Sequence, residues 1–83
     1  MDGFARSPRQ LGILIQHHRK ARGLSQTQLA DLAGLRQEMV SKIESGASGS
    51  RIAAICNLMA ALDLDITLTP RTRRSSADIA DIF

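Results

Sequence analysis

The sequence predicts an all-α protein of four to five helices, followed by one short β-strand that pairs across a homodimer. Apolar residues recur at helical spacing through most of the chain, and residues that begin or end helices stand between these runs. The aromatic residues are only Phe4 and Phe83, so the core must be aliphatic. A chain of 83 residues buries only about 60% of its unfolded surface on folding, and we therefore expect a second subunit to add core.

The first helix is predicted over residues 8–22. Ser7 is a typical helix cap, and Pro8 suits the first helical position. Gly23 is expected to end the helix in the left-handed conformation, with Leu24 folding back onto it. The side chains that recur at the spacing of one helix face are Leu11, Leu14, Ile15 and His18.

The second and third helices follow at once and are short. Ser25 and Gln28 have the spacing of a capping box at the start of helix 2, and Gly34 ends that helix. Helix 3 is predicted over residues 37–45 and is followed by Gly46. The residues expected to face inward are Leu29, Ala30, Leu32 and Ala33 in helix 2, and Val40 and Ile43 in helix 3. This arrangement is a tight helix-turn-helix.

Helix 4 is predicted to begin near Ser50, after a short polar loop. Its apolar residues at helical spacing are Ile52, Ile55, Cys56, Met59 and Leu62. Residues 63–70 then alternate apolar and polar side chains up to Pro70, which predicts a β-strand. A lone strand needs a partner, and by two-fold symmetry the same strand of a second subunit can pair with it antiparallel. The predicted dimer interface consists of Leu64, Ile66, Leu68 and Met59.

These elements divide the chain into four parts. Residues 1–7 form an N-terminal arm, residues 8–62 the helix-turn-helix domain, and residues 63–70 the dimerisation strand. Residues 71–83 are expected to be a flexible tail. Its apolar end, formed by Ile79, Ile82 and Phe83, is unusual for a tail that only solubilises, so binding of a partner protein is the alternative to fraying without function.

The charge of the chain favours a polyanion as partner. The formal net charge is +3, and in the first 51 residues eight basic residues stand against four acidic ones. Such an excess suits nucleic acid. An imbalance this small is also typical of ordinary solubilising charge, so the positions of the residues must decide.

Composition and motifs argue against several other classes of protein. Cys56 is the only cysteine, so no internal disulfide can form and no metal site is expected. No phosphate loop, nucleophile elbow or pair of carboxylates is recognisable, and we expect neither a cofactor nor catalysis. The N-terminus has no apolar signal region, and no apolar run is long enough for a membrane span. We expect a cytoplasmic protein without a membrane partner.

The span from Leu24 to Gly46, LSQTQLADLAGLRQEMVSKIESG, resembles the helix-turn-helix of the lambda-repressor-like, or Xre, family. The resemblance covers about residues 8–62 when helix 1 is included. It departs from the family at Arg36, where Ser or Thr usually caps helix 3, and at Met39, where a small polar residue is common. The features that match are Gln26, the Leu29–Ala30 pair, the turn at Gly34, the buried Val40 and Ile43, and the ending with Glu44 and Gly46.

The resemblance implies a repressor that binds double-stranded DNA. Helix 3 is then expected in the major groove, which is about 12 Å wide and admits a helix. In the register that buries Val40 and Ile43, the residues predicted to contact bases are Arg36, Gln37, Glu38, Ser41 and Lys42. These residue types suit the task, because Gln can bond adenine, Arg can bond guanine and Glu can accept from cytosine. The alternative is that these residues only form a solvent-exposed helix face and contact no DNA.

The start of helix 2 is the predicted phosphate site, because its free amides and its dipole favour an anion near Ser25 and Gln26. In the family, the glutamine that matches Gln26 contacts the DNA backbone. Arg19 has two candidate roles, a phosphate clamp or an ion pair with Glu44. The resemblance favours the pair, because in relatives it joins helix 1 to the end of helix 3. The other predicted phosphate contacts are Lys20, Ser48, Ser50 and Arg51.

Residues Leu62–Arg71, LDLDITLTPR, look like the ending of HipB-like antitoxins, in which strands of two subunits form a small intermolecular sheet. This narrower resemblance implies a homodimer that represses its own operon at a palindromic operator. It also implies a HipA-like serine/threonine kinase toxin as partner, with Ile79, Ile82 and Phe83 as toxin contacts. Two other interpretations stay open, an autonomous repressor without a toxin and a protein-interaction module that does not bind DNA.

Overall fold

The computed structural model describes residues 3–47 and 49–71, which fold into four helices and contain no β-strand. The helices are α1 (Pro8–Ala21), α2 (Gln26–Ala33), α3 (Gln37–Glu44) and α4 (Ile52–Ala61). These bounds lie within two residues of the predicted ones, as is usual for terminal turns. The all-α class is confirmed. Within the described ranges, no helix is long and apolar enough to cross a membrane.

Local sequence sets the helix boundaries. Ser7 caps α1, and its Oγ accepts from the backbone N of Gln10 at 3.1 Å. The capping box of α2 is complete, because Ser25 Oγ accepts from Gln28 N at 3.0 Å and Gln28 Oε1 accepts from Ser25 N at 2.8 Å. Gly34 has a φ of 70°, the left-handed conformation that turns the chain sharply toward α3.

The core is aliphatic and lies between the four helices. α2 contacts both α3 and α4, and α1 contacts α3. Burying one large aliphatic side chain stabilises the fold by about 1.5–3 kcal/mol, so a few such residues supply most of the favourable free energy. The largest fully buried side chains are Ile15, Leu29, Val40, Leu58 and Leu62. The remaining core residues are Ala30, Ala33, Ile43, Ala54 and Met59.

Three residues of the predicted apolar faces are exposed instead. Leu32 is 63% exposed, because it lies roughly 100° around the helix from the centre of the face that packs inward. In α4, Ile52 and Cys56 are exposed. Apolar residues occupy nearly every position of this helix, so the sequence period could not select the buried face, which is formed by Ala54, Leu58 and Met59.

The segment after α4 has no regular secondary structure within the protomer. Asp63 has a φ of 57°, and Leu64 N donates to Met59 O at 2.8 Å, so the chain turns sharply at the end of the helix. Residues 64–71 follow this turn. A β-ladder needs a second strand, and the described residues of one protomer supply none, so the strand predicted over 63–70 is not formed within a single chain.

α1 approaches the end of α3 closely at Gly12. A Cβ atom added to Gly12 would meet the carbonyl oxygen of Ile43 and lie 2.5 Å from the carbonyl oxygen of Glu44. Both neighbours are backbone atoms, which cannot rotate away as a side chain does. The missing side chain therefore allows α1 to pack directly on α3.

We expect Gly12→Ala to destabilise the protein by about 1–3 kcal/mol, because it overpacks this helix contact. Helix propensity alone predicts the opposite sign, a stabilisation of about 1 kcal/mol. Urea denaturation followed by circular dichroism measures the difference. His17→Ala, on the exposed side of α1, is the control and should change the free energy of unfolding by no more than about 0.5 kcal/mol. A more stable Gly12→Ala variant would show that α1 can move away from α3 at little cost.

Candidate nucleic-acid interface

α3 presents its polar face at the surface of the domain. Val40 and Ile43, on its opposite face, are buried in the core. The residues predicted to contact bases are therefore accessible from the first turn of α3 to its last. Four of them are exposed and Ser41 is half-buried; the set is Arg36, Gln37, Glu38, Ser41 and Lys42.

Side-chain amides connect the two helices of the helix-turn-helix motif. Gln37, the first residue of α3, donates from Nε2 to Gln26 Oε1 at 2.7 Å. Gln26, the first residue of α2, donates from Nε2 to Glu44 Oε1 at 3.1 Å. We call this chain of Gln37, Gln26 and Glu44 the amide relay. It ties the exposed start of α3 to a buried carboxylate at the end of the same helix.

A buried ion pair anchors the relay. Arg19 donates from Nε to Glu44 Oε2 at 2.6 Å and from Nη2 to Glu44 Oε1 at 3.0 Å. Its Nη1 donates to the carbonyl oxygen of Leu24 at 2.8 Å, in the turn between α1 and α2. Both charged residues are buried. All three nitrogens of the guanidinium are thus engaged inside the domain, which leaves Arg19 no surface for a phosphate.

The relay determines which atoms of Gln37 remain for a ligand. A carboxylate only accepts hydrogen bonds, so Gln26 must turn its Nε2 toward Glu44 and its Oε1 toward α3. That oxygen also only accepts, so Gln37 must turn its Nε2 toward Gln26. One N–H group and the Oε1 of Gln37 then remain. The start of α3 therefore presents one donor and one acceptor on the same side-chain amide.

The residues predicted to contact phosphates lie at helix ends. Lys20 near the end of α1 and Arg51 at the start of α4 are exposed. Ser25 Oγ accepts the Gln28 amide, which leaves the hydroxyl hydrogen to donate. Ser50 instead uses its hydroxyl on Ala47 O at 3.3 Å and so stabilises its own loop. Gln26 uses its Nε2 and its Oε1 in hydrogen bonds of the relay. Ser48 lies outside the described residues.

A shallow cleft of about 200 Å³ joins a predicted base contact to a predicted phosphate contact. Lys42 of α3 and Arg51 before α4 both line it, beside small loop residues. Two cations at one cleft favour an anionic group. Met39 also lines the cleft and packs against the core, so this departure from the family pattern is partly a packing residue.

Arg36 occupies the N-cap position of α3 without a side-chain capping bond, which is the consequence of replacing the usual Ser or Thr. Its guanidinium lies 3.9 Å from the Glu38 carboxylate, and both side chains are largely exposed. An ion pair of this kind contributes little to stability. Arg36 therefore remains accessible to a ligand at the mouth of the helix.

The residues predicted for the dimer interface differ in accessibility. Leu64 packs partly against the core, while Ile66 and Leu68 are exposed. Met59 is only 7% exposed, because its own protomer already covers it, so it offers little surface to a second subunit. The predicted toxin contacts Ile79, Ile82 and Phe83 lie outside the described residues.

The contacts of Gln26 with Gln37 and with Glu44 were not anticipated from the sequence. Gln26 lies 11 residues from Gln37 and 18 residues from Glu44 in the chain, and only the packing of α2 against α3 brings it to both. The available signal was that both glutamines stand at the first position of a helix. Over residues 3–47 and 49–71, no three His, Cys, Asp or Glu side chains are grouped so that they could hold a metal ion.

We expect Glu44→Ala to lower the free energy of unfolding by about 3–5 kcal/mol, because it leaves the buried Arg19 without its counter-charge. Glu38→Ala is the matched control, since it removes only surface interactions, the exposed pair with Arg36 and an acidic residue in the first turn of α3, and should cost no more than about 1 kcal/mol. Urea denaturation of both variants gives the comparison. Equal effects would mean that the buried pair stabilises the fold no more than the surface pair does.

The fold is similar to those of several solved structures. The restriction-modification controller protein C.AhdI from Aeromonas hydrophila is 34% identical, with a TM-score of 0.65 over 70% of this chain and 84% of that one. A HipB–O4 20mer complex matches at 24% identity and a TM-score of 0.80. A HipA–HipB–O2–O3 complex matches at 24% identity and a TM-score of 0.78, and both matches cover 86% of this chain and 100% of the other.

Sequence comparison assigns the family. No curated protein sequence matches the chain. The family described as the helix-turn-helix domain matches residues 10–72, which include α2, α3, α4 and most of α1. The match spans well over half of the chain, and the identity with the controller protein supports the same assignment. The chain therefore belongs to the helix-turn-helix domain family, as an Xre-like protein whose fold is similar to those of HipB and of the controller protein.

Proposed function

We propose that this chain is a sequence-specific transcriptional repressor that binds a palindromic operator in double-stranded DNA as a homodimer. The observation that carries the proposal is the amide relay, which holds Gln37 at the exposed start of α3. A merely solvated helix needs no such fixing. Base recognition does, because the reading side chain must be kept close to its productive geometry by neighbouring hydrogen bonds.

Gln37 has the chemistry to read adenine. In the major groove adenine presents N7 as an acceptor and its N6 amine as a donor, whereas guanine presents two acceptors. One N–H and one oxygen remain on Gln37 after the relay is formed, and this pair complements adenine. Arg36 precedes Gln37 at the mouth of α3 and can bond guanine. The proposed base contacts are Arg36, Gln37, Glu38, Ser41 and Lys42.

The flanking cations and helix ends are proposed to hold the DNA backbone. Such contacts set the orientation of the protein on the duplex but carry no sequence information. Each neutralised phosphate contributes about 0.9 to the slope of log affinity against log salt concentration. The proposed phosphate contacts are Lys20, Ser25, Gln26, Ser48, Ser50 and Arg51.

We expect Gln37→Ala to weaken operator binding by about tenfold to a hundredfold, because it removes one bidentate base contact. Its binding to nonspecific DNA should not change. Lys20→Ala is the matched variant, and it should weaken both kinds of binding alike and reduce the salt slope by about one. Mobility shifts on the DNA upstream of the gene, at two salt concentrations and with competitor, measure both quantities.

Two outcomes of these mobility shifts would contradict the proposal. Binding of the unaltered chain no tighter than to nonspecific DNA would overturn the repressor function and leave a protein-interaction module. Equal loss of operator and nonspecific binding in Gln37→Ala would show that Gln37 does not read a base. Circular dichroism of each variant excludes unfolding as the cause.

The proposed homodimer forms through the segment after α4. Its apolar residues alternate, and its backbone has no ladder partner among the described residues of one protomer. In an antiparallel pair, a two-fold axis at Ile66 places Leu64 opposite Leu68 and Ile66 opposite itself. An axis between two residues would instead oppose each apolar side chain to a threonine or an aspartate. Among axes that pass through a residue, only the one at Ile66 pairs all three apolar residues of 64–68 with one another, so we place the axis there.

We also propose that the chain is the antitoxin of a HipBA-like operon and holds a HipA-like serine/threonine kinase. The support is its likeness to HipB, which has been solved in a complex with HipA, over the full length of the HipB chain. An autonomous repressor is the second candidate. It is favoured by the 34% identity with a restriction-modification controller protein, which exceeds the identity with HipB.

We expect co-expression of the full chain to relieve growth arrest caused by a HipA-like kinase encoded beside its gene. Removing residues 71–83 should reduce this rescue, because the apolar residues Ile79, Ile82 and Phe83 are the proposed toxin contacts. Operator binding by the truncated chain, measured as above, is the control for folding. Full rescue by the truncated chain would exclude the tail as a toxin contact. No rescue by the full chain would favour the autonomous repressor.

A further inference from the structure

A groove of about 820 Å³ lies where the two ends of the described chain meet. Residues 3–7 of the N-terminal arm border it, and so does the segment 64–71. α1 and α4 line it between them with Leu11, Leu14, Ile55 and Met59. None of the lining residues comes from α2 or α3, so the groove is separate from the proposed base contacts and touches the proposed DNA face only at the loop before α4, through Ser50.

Exposed apolar side chains are concentrated at this groove. Six large apolar side chains are exposed in the described residues, and three of them line it. Phe4, in the arm, is 72% exposed, while Ile66 and Leu68, across the groove, are 57% and 94% exposed. Apolar residues left in water on both sides of one groove indicate that another surface covers them.

The arm is held in place by contacts with α1. Arg6 N donates to Gln10 Oε1 at 2.6 Å, next to the Ser7 cap. Gly3 packs against Leu14, since a Cβ added there would lie 2.7 Å from Leu14 Cδ2. The backbone on both sides of Phe4 is therefore held against α1, so the arm itself need not be ordered on association.

We propose that the groove is filled by a second copy of this chain, and that Phe4 of each protomer packs against the strand of the other. This inference rests on the homodimer proposed above and adds the N-terminal arm to its interface. The segment 64–71 is itself a border of the groove. When the segments of two copies pair antiparallel about Ile66, the segment of the second copy lies at the same groove. Its alternating apolar side chains then cover the exposed apolar residues there.

A second copy explains the observations better than the chain's own tail does. The tail could place apolar residues in the groove, but its apolar residues do not alternate with polar ones, a pattern that does not favour a strand pairing with 64–70. The same segment of a second copy satisfies both the backbone and the exposed side chains. The two-fold axis also makes both grooves equivalent, so formation of one dimer covers both arms and both strands.

The test measures the dimer dissociation constant by sedimentation equilibrium of the full chain. Phe4→Ala should raise that constant by about tenfold or more, because it removes an aromatic side chain from each half of the interface. Leu32→Ala is the matched control, since Leu32 is equally apolar and exposed but lies on α2, away from the groove. It should leave the dissociation constant within about twofold, a change below the cost of one buried methylene.

The dimer dissociation constant is also measured for Leu68→Ala and for a chain that ends at Arg71, with and without Phe4→Ala. If Leu68→Ala weakens the dimer and Phe4→Ala does not, the homodimer holds and the arm is not part of it. If the unaltered chain is monomeric, the proposed homodimer fails, and the inference fails with it. If Phe4→Ala loses its effect once residues 72–83 are removed, Phe4 acts on the dimer through the tail, and its packing against the strand of the other protomer is excluded. Any of these three results overturns the inference.

Discussion

Arg19 and Glu44 meet where the second half of α1, the turn into α2 and the end of α3 converge. Burying two charges is costly, and the pair is tolerated because every nitrogen of the guanidinium and both carboxylate oxygens have partners. No buried side-chain nitrogen or oxygen in the described residues lacks one. The pair fixes how α1 and α3 are placed, and the close contact at Gly12 lies on the same junction, against the carbonyl of Glu44.

The same carboxylate also orders the surface. Because Glu44 can only accept, the orientation of Gln26 follows from it, and the orientation of Gln37 follows from Gln26. A buried charge thereby determines which hydrogen-bonding atoms the start of α3 presents. Stability and the proposed base recognition are coupled in this domain, since a change that breaks the ion pair also removes the support of Gln37.

The domain separates its two proposed partners in space. α3 and the start of α2 form the centre of the face proposed for DNA, whereas the groove lies between the arm, α1, α4 and the segment 64–71. The two surfaces share only the loop before α4, where Ser50 lines the groove and is also a proposed phosphate contact. None of the lining residues of that groove belongs to the helix-turn-helix pair. A second subunit can therefore occupy the groove while α3 of each subunit stays exposed. A two-fold symmetric operator requires both of these helices to be accessible.

The sequence by itself determined the helices, their caps and the polar face of α3, because these depend on local chemistry: Ser7, the Ser25–Gln28 box and Gly34 act within a few residues of their own position. The sequence did not indicate which face of α4 is buried, because apolar residues occupy nearly every position of that helix. It also wrongly assigned Leu32 to the core. Only the tertiary structure decided that Gln26 links Gln37 to Glu44 and that Phe4 borders the same groove as Leu68. The physical reason is that these contacts join residues distant in the chain, whose meeting depends on how the helices pack.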